Sequence, residues 1–449
     1  MVLPLEYMNI LVIGSGGREH AICRSFSKSP RLSRLFCANG NAGIAGVAEC
    51  VPIKPDDIPG LLAFARANKI DLTFVGGETS LALGIVDEFE ANGLRIIGPN
   101  REASQLEASK SFAKDFMARH GVPTAKFVTA HSPGFAILEL ESGDFGDADA
   151  PVVVKADGLA AGKGVVVAAN RAQAVAAINE MASLVGDAAA EKIVLEECMF
   201  GREVSLLMFV DGENFALMPA TRDHKRIGEG DTGPNTGGMG TITDASLLSA
   251  EDLQTVIDTI IRPTLHGCVR EGFRFRGILF LGLMMTASGP RLLEYNVRFG
   301  DPETQAILVR LDTDLIDICD AMLAGGDDVS LAFREIKWKP GSSACVVIAA
   351  ENYPGKPKTG DAIHGLEKAA CVPGVEIFHA GTAMSERPPA ESIPPAVAGG
   401  EHQTVVTAGG RVLGVTAVGH DLNSALETAY KSVAEISFTG MQYRRDIGK

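Results

Sequence analysis

The first hundred residues repeat one unit: a short apolar run, a glycine-containing turn, then a segment of helical periodicity. Asn9 to Ile13 runs into Gly14-Ser15-Gly16-Gly17-Arg18-Glu19-His20 and a helix reaching about Lys28. Arg34 to Cys37 leads into Asn39-Gly40-Asn41-Ala42-Gly43. A helix near Ile58 to Asn68 precedes the strand Leu72 to Val75 and the turn Gly76-Gly77-Glu78. A helix near Leu81 to Ala91, the strand Leu94 to Ile97 and Gly98-Pro99-Asn100 repeat the unit. Helices placed between strands act as crossovers, so this order predicts an open parallel α/β sheet. Its ligand crevice lies at the carboxyl ends of the strands.

A chain of 449 residues exceeds one ordinary core and divides into about three units. The expected boundaries are residues 1–108 for the parallel domain, 109–332 for a two-lobed mixed domain and 333–449 for a small mixed β-rich domain. Ser104 to His120 is strongly helical. Strands are then predicted near Lys126 to Val128, Val152 to Lys155, Gly164 to Ala168 and Ile193 to Glu197, giving a small lobe over about 124–195. Val204 to Val210 and Phe215 to Ala220 flank an Asp211-Gly212 hairpin turn. In the last unit, Ala344 to Ala350, Glu376 to His379, Gln403 to Val406 and Arg411 to Val418 read as strands before a helix near Ser424 to Ile436. The fold class is thus α/β and α+β, multidomain. Pro388 to Gly400, rich in Pro, Ala and Gly, reads as a surface loop.

The charge balance excludes some function classes. Lys plus Arg is 41 against 56 for Asp plus Glu, a formal charge of -15, which repels nucleic-acid phosphates at long range. No nucleic-acid partner is expected. No apolar run reaches the roughly 18 residues of a spanning helix, and MVLPLEYMNILVIGSGG has no basic segment before its apolar one. Eight cysteines without a CxxC pair fit reduced thiols. A cytoplasmic chain with no membrane partner is expected.

Chemistry concentrates in a few stretches. Val154-Lys155-Ala156-Asp157-Gly158-Leu159-Ala160-Ala161-Gly162-Lys163-Gly164-Val165 puts a lysine at a strand end and a second lysine in a Gly/Ala-rich loop. Such a hairpin can close over phosphates, glycines exposing N–H donors and lysines supplying charge. It is not a Walker A loop, because Gly158 to Gly162 is one residue too short and Gly164 replaces the Ser or Thr. Backbone groups around Glu196, Glu197 and Cys198 can pair with an adenine edge, leaving Glu203 for ribose hydroxyls. Glu294 and Asn296 lie two apart on a strand and face one side, where their oxygens can hold a hard cation such as Mg²⁺ between phosphates. Arg298 continues that face, positioned to grip a carboxylate or phosphate, and Asp301 follows.

Thr221-Arg222-Asp223-His224-Lys225-Arg226 offers an anion site; Asp231-Thr232-Gly233-Pro234-Asn235-Thr236-Gly237-Gly238-Met239-Gly240 can wrap a small substrate. His224 reads as an orienting residue rather than a base. Gly16 and Gly17, at a helix N-terminus, favour an anionic group. Glu19 stands where a dinucleotide fingerprint requires glycine.

These stretches resemble the phosphoribosylamine–glycine ligases, a family of the ATP-grasp superfamily. The resemblance rests on VIGSGGREHA at Val12 to Ala21, GNAG at Gly40 to Gly43, KADGLAAGKGV at Lys155 to Val165 and DHKR at Asp223 to Arg226. It extends through DTGPNTGGMG at Asp231 to Gly240, RFGDPETQ at Arg298 to Gln305 and FHAGT at Phe378 to Thr382. It covers nearly the whole chain. The resemblance implies ATP as co-substrate, Mg²⁺ or Mn²⁺, glycine and 5-phosphoribosylamine as substrates, a place in purine biosynthesis and a monomer.

Carried over, Lys110 and Lys155 contact ATP phosphates, with Gly158, Gly162, Lys163 and Gly164 in the covering loop. Glu196, Glu197 and Cys198 lie beside adenine, and Glu203 meets ribose; Glu294 and Asn296 bind the metal. Gly16, Gly17, Arg18 and Glu78 belong to the phosphoribosylamine side. Asp223, Gly237, Gly238, Arg298 and Asp301 line the combined substrate site, with Lys155, Arg298 and Asp301 expected to carry catalysis. One departure is Val75-Gly76-Gly77-Glu78-Thr79-Ser80, where many relatives have V-G-P-E-A-P. Other readings are another ATP-grasp carboxylate–amine ligase or carboxylase, and a non-catalytic ATP-binding regulatory module.

Overall fold

The computed structural model describes residues 7–158, 164–186, 190–324, 330–385 and 404–449. Pro388 to Gly400, Gln403, and the loop residues Gly162 and Lys163 lie outside these.

The amino-terminal repeat folds as an all-parallel five-stranded sheet in the order Glu49–Val51, Leu32–Asn39, Met8–Gly14, Leu72–Val75, Ile96–Ile97. Met8–Gly14 sits centrally, covered on both faces, which is why its run is apolar without alternation. Two predicted helices are each broken in two. Leu81 to Ala91 becomes Glu78–Ala82 and Ile85–Ala91. Gly84 between them takes φ +86°, and the Arg101 guanidinium packs where a Cβ would stand. Arg101 Nη2 donates to the freed Leu83 carbonyl at 2.6 Å. Ser104 to His120 becomes Gln105–Ala108 and Lys110–Arg119, because Ser109 is extended and caps the second helix at the Phe112 N–H.

The small lobe is an antiparallel four-stranded sheet ordered Phe127–Ala130, Ile193–Glu197, Val152–Ala156, Val165–Ala168. Helices Pro133–Glu141 and Arg171–Val185 cover one face with an alanine-rich core.

The largest sheet runs Gly289–Asn296, Arg276–Thr286, Arg202–Asp211, Thr221–Asp223, Gly240–Thr243, Ser342–Ala349, Arg411–Gly419, Val375–His379. Asn214–Leu217 forms a hairpin with Arg202–Asp211. The last quarter of the chain therefore continues the preceding sheet, joined where Gly240–Thr243 pairs antiparallel with Ser343 to Val346. Helix Leu422–Val433, capped by Asp421, packs on this extension. The chain is α/β at its parallel sheet and α+β beyond it. Among the described residues no helix is long and apolar enough to cross a membrane.

Phe299 ties the two sheets together. Its buried ring stacks on Phe74 at 5.9 Å and meets Phe209 edge-on at 6.1 Å. Arg298 and Asp301, one residue before and two after it, are rooted by this contact. Phe299→Ala is expected to cost about 3–5 kcal/mol, measured by urea denaturation. A loss under about 1 kcal/mol would mean that the sheets are held together elsewhere.

Candidate active site

A cavity of about 400 Å³ opens where the carboxyl ends of the parallel strands, the small lobe and the large sheet converge. One of its ends carries the lysines. Ser109 Oγ, Ser111 N–H and Ser111 Oγ donate to the Asp157 carboxylate at 3.0, 3.1 and 2.8 Å. The broken helix is thereby fastened to the small-lobe hairpin, and Lys110 Nζ donates to the Gly158 carbonyl at 2.8 Å. Lys155 lies 2.7 Å from Glu196 Oε1, and Lys114 lies 3.0 Å from Glu196 Oε2. All three side chains are buried, at 7%, 3% and 2% exposure for Lys155, Lys114 and Glu196. Burial outweighs the attraction of Glu196 and brings the Lys114 ammonium down to about 8. Burial also lowers Lys110.

Glu294 and Asn296 alternate with Tyr295, whose ring packs against Phe116 on the opposite face of the strand. Among the described residues Glu294 has no hydrogen-bond or ion-pair partner, although every neighbouring charge that favours its ionisation is cationic. Burial pushes its carboxyl up, but Lys225, Lys155, Lys110 and Arg298 outweigh it and hold it below the ordinary range. An unpartnered carboxylate sharing a face with an amide oxygen, open to the cavity, fits a divalent cation that completes its shell with phosphate oxygens and water.

The opposite end gathers carboxyl groups. Asp223 and Glu303 line it, and among the described residues neither has a cation within ion-pair distance. Burial, then the neighbouring Glu303 charge, pushes Asp223 well above the usual carboxylate range; burial also raises Glu303. Gly238, at φ +111°, lets Asp223 approach, since a Cβ there would stand 2.7 Å from Asp223 Oδ1. Gly237 is held from the last third of the chain: its N–H donates to Tyr353 Oη at 3.0 Å and its carbonyl accepts from Arg411. Arg411 also pairs with Asp301 at 3.1 Å.

Between the ends, Arg298 bridges Glu78 at 3.1 Å and Glu107 at 2.7 Å and donates to Asn296 Oδ1 at 3.1 Å. Burial opposes ionisation of Glu78, yet Arg298 and Arg18 bring it down to about 2. Arg18 Nη1 donates to the Phe299 carbonyl at 2.9 Å.

The cavity thus gathers Lys110, Lys155, Gly158, Gly164, Glu196, Glu203, Glu294 and Asn296 with Arg18, Glu78, Asp223, Gly237, Arg298 and Asp301. Gly162 and Lys163 lie outside the described residues, and the remaining predicted residues stand off the cavity. Gly16 and Gly17 pack against the Asp301 and Gln305 side chains, and the Gly16 N–H donates to Glu19 at 2.6 Å, so the chain supplies its own anion at that turn. Glu197 accepts from the Lys126 N–H at 2.8 Å, and Cys198 follows the strand end. The Glu203 carboxylate pairs with Lys225 at 3.1 Å. Sequence reasoning missed Glu107, Lys114, Glu303 and Arg411. Lys114 had a signal, standing one helical turn beyond Lys110.

A family model described as phosphoribosylglycinamide synthetase matches in three parts. Its N domain covers residues 8–107, its ATP-grasp (A) domain 108–304 and its C domain 343–449. The phosphoribosylamine–glycine ligase of Xanthomonas axonopodis pv. citri is 46% identical over 446 residues, 98% of this chain and 97% of that protein. The one from Salmonella typhimurium is 45% identical over 449 residues, 98% of each. Among solved structures, phosphoribosylamine–glycine ligase from Thermotoga maritima superposes with a TM-score of 0.79 at 31% identity, covering 98% of this chain and 100% of that one. The biotin carboxylase domain of Hydrogenobacter thermophilus 2-oxoglutarate carboxylase shares the fold, with a TM-score of 0.69 at 16% identity, over 98% and 92%. With all three parts of the model in register along nearly the whole length, the chain belongs to the phosphoribosylglycinamide synthetase family.

Proposed function

We propose that the chain ligates glycine to 5-phosphoribosylamine at the expense of ATP, giving glycinamide ribonucleotide, ADP and phosphate in purine biosynthesis. A glycine carboxylate oxygen attacks the γ-phosphorus, the bond to the bridging oxygen breaks and ADP leaves. The amine nitrogen then attacks the carbonyl of glycyl phosphate. The carbon–oxygen bond to phosphate breaks and the nitrogen gives up a proton. No protein nucleophile is needed.

The observation that carries this reading is a single cavity with buried lysines at one end and the carboxyl groups of Asp223 and Glu303, pushed towards their neutral forms, at the other. In this reading Lys110 and Lys155 face the ATP phosphates, with Gly158, Gly162, Lys163 and Gly164 forming the cover over them. The strand end from Glu196 to Cys198 flanks adenine, and Glu203 exchanges Lys225 for a ribose hydroxyl. Glu294 and Asn296 would hold Mg²⁺ or Mn²⁺, which would neutralise charge developing on the phosphoryl oxygens. Gly16, Gly17, Arg18 and Glu78 border the phosphoribosylamine, while Asp223, Gly237, Gly238, Arg298 and Asp301 enclose the glycine and the reacting carbonyl. Holding donor and acceptor in line and excluding water supplies much of the catalysis, since the acyl phosphate hydrolyses if exposed. The working form in this reading is a cytoplasmic monomer.

The expected result is ADP release that requires glycine and turns over only with 5-phosphoribosylamine. Coupled ADP assays omitting each substrate in turn check it. Equal release with bicarbonate or formate in place of glycine would move the chain to another acid substrate.

A further inference from the structure

The stretch that begins with strand Thr221–Asp223 has two faces. Asp223 and Lys225 line the cavity, whereas Arg222 and His224 turn to the other side and meet residues 444–449. Arg222 Nη2 donates to the Lys449 backbone oxygen at 3.0 Å, and the Gly448 N–H donates to His224 Nε2 at 3.1 Å. Arg444 Nη1 donates to the Arg226 carbonyl at 3.1 Å. Burial holds His224 at about 4, so its ring is neutral near pH 7 and Nε2 is free to accept.

Arg444 is the centre of this contact. Its side chain is 2% exposed, an unusual place for a guanidinium. Nη1 reaches Asp231 Oδ1 at 2.7 Å, and a fork of Nε and Nη2 holds Asp446 at 2.8 and 2.7 Å. Asp446 in turn accepts the Gly230 N–H at 2.8 Å. Arg226, Gly230 and Asp231 belong to, or lie in the turn of, the hairpin Arg226–Gly228 with Thr232–Asn235, which among the described residues pairs with no other sheet. A two-stranded hairpin alone is marginally stable in water, so what grips it sets its position. Directly after it, Asn235, Thr236 and Gly237 line the cavity.

We infer that residues 444–449, through Arg444, are a positioning strap that fixes Asp223 and the Asn235–Gly237 turn at the acid-and-amine end of the cavity. Arg444 is a positioning residue, since it lines no part of the cavity itself. The lysine end hangs on helix Lys110–Arg119 and the small-lobe sheet, which the strap does not touch. Loss of the strap therefore weakens one end selectively. Naming the affected substrates rests on the reaction proposed above; the strap's action on the hairpin does not.

The test uses the full chain with R444M, R444K and D446N. R444M is expected to raise the KM for glycine and for 5-phosphoribosylamine at least tenfold, with the Kd for ATP within twofold and kcat at saturation within threefold. R444K is expected to recover part of the loss. D446N, which keeps the Asp231 contact, is expected to give a smaller rise of the same pattern, and it carries the test if R444M does not fold. Amide hydrogen exchange supplies a readout independent of the reaction: residues 226–237 are expected to exchange at least tenfold faster in the variant, and Val152–Ala156 at the wild-type rate. Unchanged exchange in the hairpin, or KM and ATP Kd rising in parallel, would overturn the strap. Wild-type protein without glycine-dependent ADP release would instead fault the reaction, leaving the exchange result to decide the strap.

Discussion

Glu294→Gln is expected to lower kcat/KM by about a hundred- to a thousandfold, the range for removing one group aimed at charge developing in a transition state. Folding should hardly change. The carboxylate is ionised because Lys225, Lys155, Lys110 and Arg298 outweigh its burial, yet it touches none of them within ion-pair distance. The variant therefore forfeits a modest share of stability, a few degrees in melting temperature. The apparent affinity for Mg²⁺ should fall with the rate, so a magnesium titration alongside the kinetics separates loss of the cation from loss of the fold. An unchanged rate would remove Glu294 from the site.

Glu196→Gln is expected to produce the largest stability loss among the cavity residues. Among the described residues Glu196 is the one anion in ion-pair contact with two buried ammoniums, Lys114 at 3.0 Å and Lys155 at 2.7 Å. Removing one partner of a buried ion pair costs about 3–5 kcal/mol, a large fraction of the roughly 5–15 kcal/mol that a domain has. The pH dependence follows from Lys114. Burial already holds it at about 8, against an ordinary 10.5, and without Glu196 it falls further. The cost of burying its charge applies in full below the folded value and is relieved as pH rises towards the unfolded one. The melting-temperature deficit of Glu196→Gln should therefore narrow over the window below about pH 8, the wild-type Lys114 value, and stay level above it, where both proteins lose that charge alike. A deficit constant over that window would mean that the two lysines do not rely on Glu196.

Much of the architecture was legible because local chemistry marked it. Leu72–Val75 and Ile193–Glu197 are apolar runs bounded by turn residues, and they fold with those bounds. Period-two spacing put Glu294 and Asn296 on one face, and the register irregularity of that strand falls before Glu294, so it leaves their alternation intact. The helix breaks were less visible. A lone serine at Ser109 and a lone glycine at Gly84 decide them, and each acts through a distant partner, Asp157 and Arg101. The merged sheet left no local mark at all, because Gly240–Thr243 pairs with residues about a hundred positions later. Glu107 and Arg411 were missed for the same reason. Glu107 reads as an ordinary helix-surface carboxylate until Arg298 and the Val297 N–H meet it at 2.7 and 2.8 Å. Arg411 reads as the start of a strand until Asp301 faces it.

The fate of the glycine carboxylate oxygens tests the central claim most directly. If glycine is activated by attack of its own oxygen on the γ-phosphorus, turnover of glycine labelled with ¹⁸O in both carboxylate positions must place one ¹⁸O in each released phosphate, read by mass spectrometry. Phosphate without label, in a reaction that still forms the amide and ADP, would show that no acyl phosphate forms in this cavity.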